Sequence, residues 1–480
     1  MRTPRLTPAE PWRGGLRRLI ARPESRVHLM GVGGIGMAGL ARLLSARGLR
    51  VSGCDAGTPR TLDWLRSCGL PVVTGHDRGH LADTDWAVYS PALAPGHPER
   101  EEAVRRGIPL FRRGQALAVV GELWRTIAVA GTHGKTTTSS MVAHMLRSCG
   151  TMASWCIGGE LAPTGAPAEV GAGEWLVIEA DESDGTLAHH APEMAVITNV
   201  EFDHMEHFAA KEAMEECFRT FARQAGFVVY GAEDPVASRL GRDVGGIGVG
   251  CGEGADFRAD GIQPGRGGTR FRVRAPGGRV VQVDLPLTGR HNVLNALTAL
   301  AACDRVGVDW AAAAAALATF RLPRRRFEVV AAANGIRIVA DYAHHPSEIR
   351  ALIDAARQAG AVRIRAAFQP HRYTRTQALG PQFPPAFNGV DEVVLLPVYA
   401  ASEPPLAGGS SADLQKHFRR HGDAPVELAE SLEDAAARLS ARWQAGDWIL
   451  IVGAGDVEEL GPMLKSRLIG DEKRVDGIAQ

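Results

Sequence analysis

No run of about 18 apolar residues occurs anywhere in the 480-residue chain, which speaks against a membrane-spanning helix. An excess of either charge is equally absent. Lys plus Arg is 54 and Asp plus Glu is 54, so the formal net charge is zero. That balance argues against bulk nucleic-acid binding and against an anionic membrane surface as partner. The seven cysteines are odd in number and scattered, with no C-x-x-C pair, so neither a zinc module nor a disulfide framework is supported. Reduced thiols in a cytoplasmic protein are the expectation. The first 26 residues carry several arginines but no apolar core, which reads as a disordered leader (1–26) and not a signal peptide.

What is present is a chain of ordinary globular composition, 45% apolar and 22% charged. Its length exceeds what one hydrophobic core usually serves, so about three domains are expected. Strand–turn–helix patterns place them at 27–124, 125–322 and 323–480. The first opens with Val27–Met30, a glycine cluster, a helical pattern from Met37 to Arg47, and a second strand Leu49 to Cys54 ending at Asp55. A further strand is expected at Trp86 to Ser90, followed by the turn Pro91 to Gly96. Gly31, Gly33 and Gly36 satisfy G-x-G-x-x-G, which alone suggests NAD with Asp55 on a ribose, or only tight strand–helix packing.

The second domain opens with Thr126 to Ala130, then Gly131-Thr132-His133-Gly134-Lys135-Thr136 and a helix to about Ser148. Glycines there let backbone N–H groups face a concavity, and the helix N-terminus adds a positive dipole. Lys135 suits β- and γ-phosphates, and the Thr136 hydroxyl suits Mg²⁺. The common eight-residue loop has a glycine where Val129 stands, so this loop is shortened and an ordinary GTPase or motor ATPase is disfavoured.

Strands at Trp175 to Glu179 and Met194 to Thr198 end in polar residues, where ligands of open α/β sheets bind. Glu179 suits a metal in a hard oxygen shell. His204 is a candidate to bind a second metal or orient a phosphate, although such a histidine alone is more often structural. Asp181, Glu182 and Asp184 read as a solvated acidic turn, and Glu179, closest to the strand, is favoured. Residues 250 to 290 alternate and suggest an antiparallel edge flap, and Trp310 to Ala318 an alanine-rich helix. In the third domain, strands are expected at Phe327 to Val330, Ile336 to Ala340, Arg363 to Phe368 and Trp448 to Val452, with a helix at Ser347 to Ala359. Arg324, Arg325 and Arg326 are either a solvated charge run or, through a guanidinium, a contact for a transferring phosphoryl group.

Six motifs in order give the chain a family likeness. They are Gly31 to Met37, Gly131 to Thr138, Glu179 to Asp184, Gly289-Arg290-His291-Asn292-Val293-Leu294-Asn295-Ala296, Asp341 to Pro346, and Gln369 to Thr376. Across residues 27 to 456 the chain resembles the Mur ligase family, and within it the branch that adds L-alanine. The resemblance implies three α/β domains: a Rossmann-like UDP-binding domain, a central P-loop ATPase-type domain, and a Rossmann-like amino-acid-binding domain. It implies UDP-sugar contacts from Gly34, Ile35, Gly36, Met37, Asp55, Ser90, His133 and Asn199.

The ATP contacts it implies are Gly131 to Thr137, His291, Asn292, Asn295, Arg326 and Asp341, with Mg²⁺ on Thr136, Glu179 and His204. An L-alanine site is implied at Tyr342, His344, His371, Arg372 and Arg375, where arginines clamp the carboxylate. Catalytic roles fall to Lys135, His204, Arg326 and His344. The chain departs from the family pattern at Ala56 to Asp63, where the usual Thr-x-Arg-Leu is not cleanly present. The carbamylated lysine of relatives acting later in the pathway is absent from Cys217-Phe218-Arg219.

The expected reaction joins L-alanine to the carboxylate of UDP-N-acetylmuramate at the expense of ATP, through an acyl-phosphate, in peptidoglycan precursor synthesis. His344 or His371 takes the amine proton. The protein is expected as a monomer or homodimer that closes its last domain about a hinge near Leu322 to Arg324. Three rivals are a family member that attaches a preformed tripeptide to the same nucleotide, an NAD-dependent oxidoreductase using Gly31 to Gly36, and a non-catalytic UDP-sugar binder. Intact Lys135, Glu179 and His204 speak against the last.

Overall fold

A computed structural model describes residues 10–476 other than 95, 163, 206 and 266, and the side chains up to residue 470. Three sheets carry the chain, each built from strands whose buried faces are rich in Val, Ile, Leu and Ala. The first holds β1 (Arg26–Met30), β2 (Arg50–Asp55), β3 (Val72–Thr74), β4 (Trp86–Tyr89) and β5 (Leu110–Arg112) in the order β3-β2-β1-β4-β5. All its pairings are parallel. Strand order reverses beside β1, so the glycine turn that follows β1 sits at the switch point where such sheets bind ligands.

The second sheet holds β6 (Arg125–Ala130), β7 (Ser154–Leu161), β8 (Ala166–Glu169), β9 (Trp175–Glu179), β10 (Met194–Ile197), β11 (Val228–Gly231) and β12 (Ile247–Gly250). It ends with β13 (Phe257–Gly265), β14 (Gly268–Ala275) and β15 (Arg279–Leu285). The order is β15-β14-β13-β12-β11-β10-β6-β9-β7-β8, so the expected flap forms one edge and the antiparallel pair β7–β8 the other. Central β6 lies between β10 and β9, parallel to both. Its burial leaves almost nothing of Ile127 to Ala130 exposed. A parallel strand covered on both faces reads as a continuous apolar run, as this one does.

The third sheet holds β16 (Glu328–Ala333), β17 (Ile336–Asp341), β18 (Arg363–Phe368), β19 (Glu392–Leu395), β20 (Val426–Leu428) and β21 (Asp447–Val452), in the order β16-β17-β21-β18-β19-β20. Only β16 runs antiparallel. The chain divides into two compact units. One carries the first two sheets, with Arg270–Pro286 and Asn292–Arg321; the other starts at Leu322 and takes Gln263–Thr269 and Leu287–His291.

The N-terminal segment corrects the sequence reading. Residues 1–9 of the expected disordered leader lie outside the described residues, but Pro11–Ala21 is a helix. Trp12, Leu16 and Ile20 recur every fourth residue, and Leu16 and Ile20 are buried in the first core. Arg13 is buried too; its guanidinium donates to Glu122 at 2.6 Å and to the His189 carbonyl at 2.5 Å, while Arg17 donates to Glu122 at 2.7 Å. The arginines that suggested a solvated leader are ion-pair partners. Of the turn expected over Pro91 to Gly96, Pro95 lies outside the described residues.

Candidate active site

The turn after β6 has the shape a phosphate loop needs. Gly131 and Gly134 take φ of 132° and 79°, values that disfavour other residues, and the helix Lys135–Ser148 starts at once. A Cβ on Gly134 would lie 2.6 Å from Asn295 Oδ1, which also accepts from Thr138 Oγ1 at 3.2 Å. Asn295 therefore backs the loop. Asn292 is buried with it in the same helix, whereas His291 is exposed and belongs to the second unit.

Lys135 folds over its own loop. Its Nζ donates to the carbonyls of Gly131 (2.5 Å) and Thr132 (3.1 Å) and to Glu182 Oε1 (2.8 Å). Burial pushes the ammonium down, but Glu182, Asp181 and Glu179 together outweigh it and hold Lys135 above the usual lysine value, fully charged. Glu182 is completely buried, which corrects the view of residues 181–184 as a solvated acidic turn. Three residues past the end of β9, Glu182 meets the loop through Lys135. Asp181 pairs with Arg113 at 2.9 Å; burial opposes its ionised form, yet Arg113, Lys135 and His204 hold it well below the ordinary carboxylate range. Asp184 Oδ1 accepts from Thr186 N at 3.1 Å and Oγ1 at 2.5 Å, a local turn.

Of these carboxylates Glu179, at the tip of β9, has no cationic partner among the described residues; its Oε2 accepts from Gly158 N at 2.9 Å. The Glu182 Oε2 atom is buried and without a hydrogen-bond partner among them. His204 holds a left-handed backbone (φ 57°) and brings Nε2 to 3.6 Å from Glu182 Oε1. A hydroxyl (Thr136), an unpaired carboxylate and an imidazole beside a buried carboxylate whose other oxygen lacks a partner fit a hard divalent cation such as Mg²⁺. On the other flank, at the end of β10, Asn199 brackets His133: its Oδ1 accepts from His133 N at 2.9 Å and its Nδ2 donates to His133 O at 3.0 Å. The His133 ring lies 2.9 Å from Glu201 Oε2, and Thr132 Oγ1 donates to Glu201 O at 2.8 Å. The three strand ends thus converge on one loop.

In the first sheet, Gly34 opens the helix Ile35–Ala46, which carries Gly36 and Met37, so its free N–H groups offer an anion site. Asp55, at the tip of β2, accepts from Gly33 N at 2.9 Å and from Gly57 N at 3.1 Å. Thr61 donates to Gly33 O, so the segment that departs from the family pattern is packed onto the glycine turn. Ser90 caps its own turn, accepting from Ala92 N at 3.3 Å. Arg113, which the sequence reading missed, would lie 3.0 Å from a Cβ on Gly36; it joins this helix end to Asp181. A lone arginine at a helix start carries no sequence signal.

The second unit gathers most of its candidates at the ends of β17 and β18. Asp341 accepts from Phe327 N (2.7 Å) and Ala343 N (2.8 Å); burial pushes its carboxyl up, partly offset by Arg326. The Arg326 guanidinium stands over the Tyr342 ring at 5.2 Å. Arg325 donates to the carbonyls of Gly453 and Gly455 at 2.9 Å each, so it is structural and not part of a solvated run. His344 Nδ1 lies 3.0 Å from the Tyr342 carbonyl, and its ring centre is 5.7 Å from that of His371. Arg375 NH1 donates to His371 Nδ1 at 3.2 Å, and His371 stacks on Tyr399. Arg372 (φ 69°) donates to Glu403 at 3.1 Å, and Thr374 holds the same carboxylate.

Comparison with known proteins matches three family models in sequence: Mur ligase family, catalytic domain (residues 26–125), Mur ligase middle domain (129–303) and Mur ligase, glutamate ligase domain (325–455). The chain is 43% identical to a UDP-N-acetylmuramate–L-alanine ligase of Kineococcus radiotolerans, over 91% of this chain and 95% of that one. It is 38% identical to one from an Anaeromyxobacter species, over 92% and 97%. Among solved structures it is similar to the UDP-N-acetylmuramate-alanine ligase of Thermotoga maritima (28% identity, TM-score 0.80, covering 93% and 99%). It is also similar to a murein peptide ligase of Psychrobacter arcticus (26%, TM-score 0.71, 92% and 98%). With its phosphate loop, its carboxylate set and its three α/β sheets matched along nearly the whole length, the chain belongs to the Mur ligase family.

Proposed function

We propose that the protein joins L-alanine to the carboxylate of UDP-N-acetylmuramate, with ATP cleaved to ADP and phosphate, in the cytoplasmic stage of peptidoglycan precursor synthesis. The observation that carries this reading is Lys135, charged and held over the loop between β6 and its helix by a buried carboxylate. A carboxylate resists attack by an amine, so one of its oxygens first attacks the γ-phosphorus and ADP leaves. The amine nitrogen then attacks the acyl carbon, the C–O bond to phosphate breaks, and the nitrogen loses a proton. Phosphoryl transfer of this kind rests on positioning and on neutralising charge.

The residues divide that work by place. Lys135 swings from Glu182 to the β- and γ-phosphates, and Asn295 keeps the loop in shape behind it. Thr136, Glu179 and His204 would hold Mg²⁺, which supplies further charge neutralisation on the phosphates. Gly34 to Met37, Asp55, Ser90, His133 and Asn199 are the UDP-sugar set, to which we add Arg113. His291, Asn292, Arg326 and Asp341 complete the ATP set. Tyr342, His344, His371, Arg372 and Arg375 take the amino acid.

Hydrogen bonding favours His344 over His371 as the proton acceptor. Arginine only donates, so His371 Nδ1 accepts from Arg375 and the proton of its neutral ring is on Nε2. A carbonyl only accepts, so His344 Nδ1 donates to Tyr342 O and its Nε2 carries the lone pair.

A phosphate-release assay with ATP and UDP-N-acetylmuramate, run across single amino acids and the murein tripeptide, tests the reading. L-Alanine should give the highest kcat/KM. Release that ignores L-alanine would refute amide formation, and preference for the tripeptide would assign the chain to the activity of the murein peptide ligase.

A further inference from the structure

The first sheet contains a second cluster of reactive side chains that the ligase reading does not use. Glu99, at the start of the helix Pro98–Arg105, is completely buried, and a thiol and three imidazoles surround it. Cys54, at the C-terminal part of β2, brings Sγ to 3.2 and 3.1 Å from the two carboxylate oxygens. His80, in the turn after β3, has Nδ1 2.7 Å from Oε1. His28, in β1, has Nε2 3.8 Å from Oε1 and 3.3 Å from Cys54 Sγ.

We infer that His28 Nε2, Cys54 Sγ, His80 Nδ1 and Glu99 Oε1 form a tetrahedral Zn²⁺ site that clips β1 and β2 to the turn after β3 and to the helix at Pro98. Its donors lie within 4.8 Å of one another. Zinc bonds of about 2.0–2.3 Å to nitrogen, oxygen and sulfur give a tetrahedron with edges of about 3.3–3.6 Å. The separations of 3.3, 3.2 and 3.8 Å fall near that range, the His80–Glu99 pair, hydrogen-bonded at 2.7 Å, has to open, and the two from His80 to His28 and Cys54 lie within 4.8 Å.

The charges also fit. One thiolate, one carboxylate and two neutral imidazoles cancel a dication, which suits a site where His28, Cys54 and Glu99 are all nearly or wholly buried. Loading releases the thiol proton to solvent as the S–Zn bond forms.

Outer groups are in place to orient the ligands, as they are around zinc generally. His28 Nδ1 is 2.9 Å from Ser52 Oγ, which fixes the ring with Nε2 inward. His76 Nδ1 is 3.1 Å from the second oxygen of Glu99, and the Asp77 amide donates to the first at 3.2 Å. His97, whose ring nitrogens are buried without a hydrogen-bond partner among the described residues, packs edge-on against His76. None of the four ligands belongs to the nucleotide, sugar or amino-acid sets, so the inference stands apart from the proposed reaction. Its link to that reaction is mechanical: Cys54 precedes Asp55, the residue that holds the glycine turn.

The test uses the full chain, stripped with a chelator and titrated with Co²⁺ and then Zn²⁺. The expected result is one cobalt per chain with a thiolate charge-transfer band and the ligand-field bands of a tetrahedral ion, displaced by one zinc. Cys54→Ser, nearly isosteric, should abolish the thiolate band. Ser52→Ala should weaken zinc binding by about 10–100-fold, the usual loss for an outer-shell partner. His80→Gln, at a partly exposed position, should weaken it further while circular dichroism shows the fold retained. Cys156→Ser removes a thiol near Glu179 and should change nothing. A spectrum without a thiolate band, a band that survives Cys54→Ser, or a stripped protein that takes up no zinc would overturn the site and leave a hydrogen-bonded carboxylate only.

Discussion

Replacing Lys135 should do two separable things, and the structure sets the size of each. Its side chain is 15% exposed and that of its partner Glu182 is 0% exposed. Removing one member of a buried pair leaves an uncompensated charge, which costs about 3–5 kcal/mol. Lys135→Met should therefore lose roughly that much stability. With urea slopes of about 1–3 kcal/mol per molar, the midpoint of the first unit should fall by roughly 1 M or more. Glu182→Leu added to Lys135→Met removes the stranded carboxylate and should recover most of the lost stability. Turnover should not recover, because the ammonium that neutralises the negative charge of the transferring phosphoryl group is still missing; a loss of at least about 100-fold in kcat is expected in both variants. Urea unfolding and phosphate release on the same preparations give the two readings. The reasoning fails if Lys135→Met is as stable as the parent, or if the double variant is no more stable than the single one.

Other substitutions test other parts. Gly134→Ala combines a φ of 79° with a Cβ 2.6 Å from Asn295 Oδ1, so it should raise the KM for ATP at least about tenfold, given the strain of about 1–2 kcal/mol from the backbone alone; initial-rate kinetics show this. Gly33→Ala places a Cβ 2.5 Å from Pro59 and 2.8 Å from Asp55, and should raise the KM for UDP-N-acetylmuramate while leaving that for ATP unchanged. Arg372→Ala should raise the KM for L-alanine far more than that for ATP; an equal change in both would remove Arg372 from the amino-acid site.

Burial lowers His190 to about 3, with Arg113, His189 and Arg13 adding to the effect. Because the folded state resists protonating this ring, the unfolded state binds more protons between the ordinary histidine value of 6.5 and about 3. Stability present above pH 6.5 should be lost as pH falls through that window, and His190→Gln should flatten the loss in acid-unfolding curves.

The architecture was legible where one physical rule governed a segment. Central strands such as β9 and β18 are buried on both faces and read as short apolar runs, so their limits could be stated from the sequence. The pair β7–β8 escaped notice because Gly158, Gly159 and Pro167 interrupt any alternation. The helix Pro11–Ala21 was hidden by its arginines, whose partners Glu122 and His189 are far along the chain.

The candidate site followed the same division. Gly131 to Thr136 is contiguous and carries its own signal. Glu182 looked like part of a solvated turn because only the folded chain brings it under Lys135, and Arg113 gains meaning only beside Gly36 and Asp181. The four proposed ligands, His28, Cys54, His80 and Glu99, come from four separate segments and form no spacing motif.

The central claim is that a nucleoside triphosphate seated on the Gly131–Lys135 loop activates a carboxylate as an acyl-phosphate. Its most direct test is isotopic. With both oxygens of the UDP-N-acetylmuramate carboxylate labelled with ¹⁸O, each turnover should place one ¹⁸O in the released phosphate and leave one in the amide product, and Lys135→Met should abolish the transfer. Phosphate released without label while the L-alanyl amide accumulates would contradict the account.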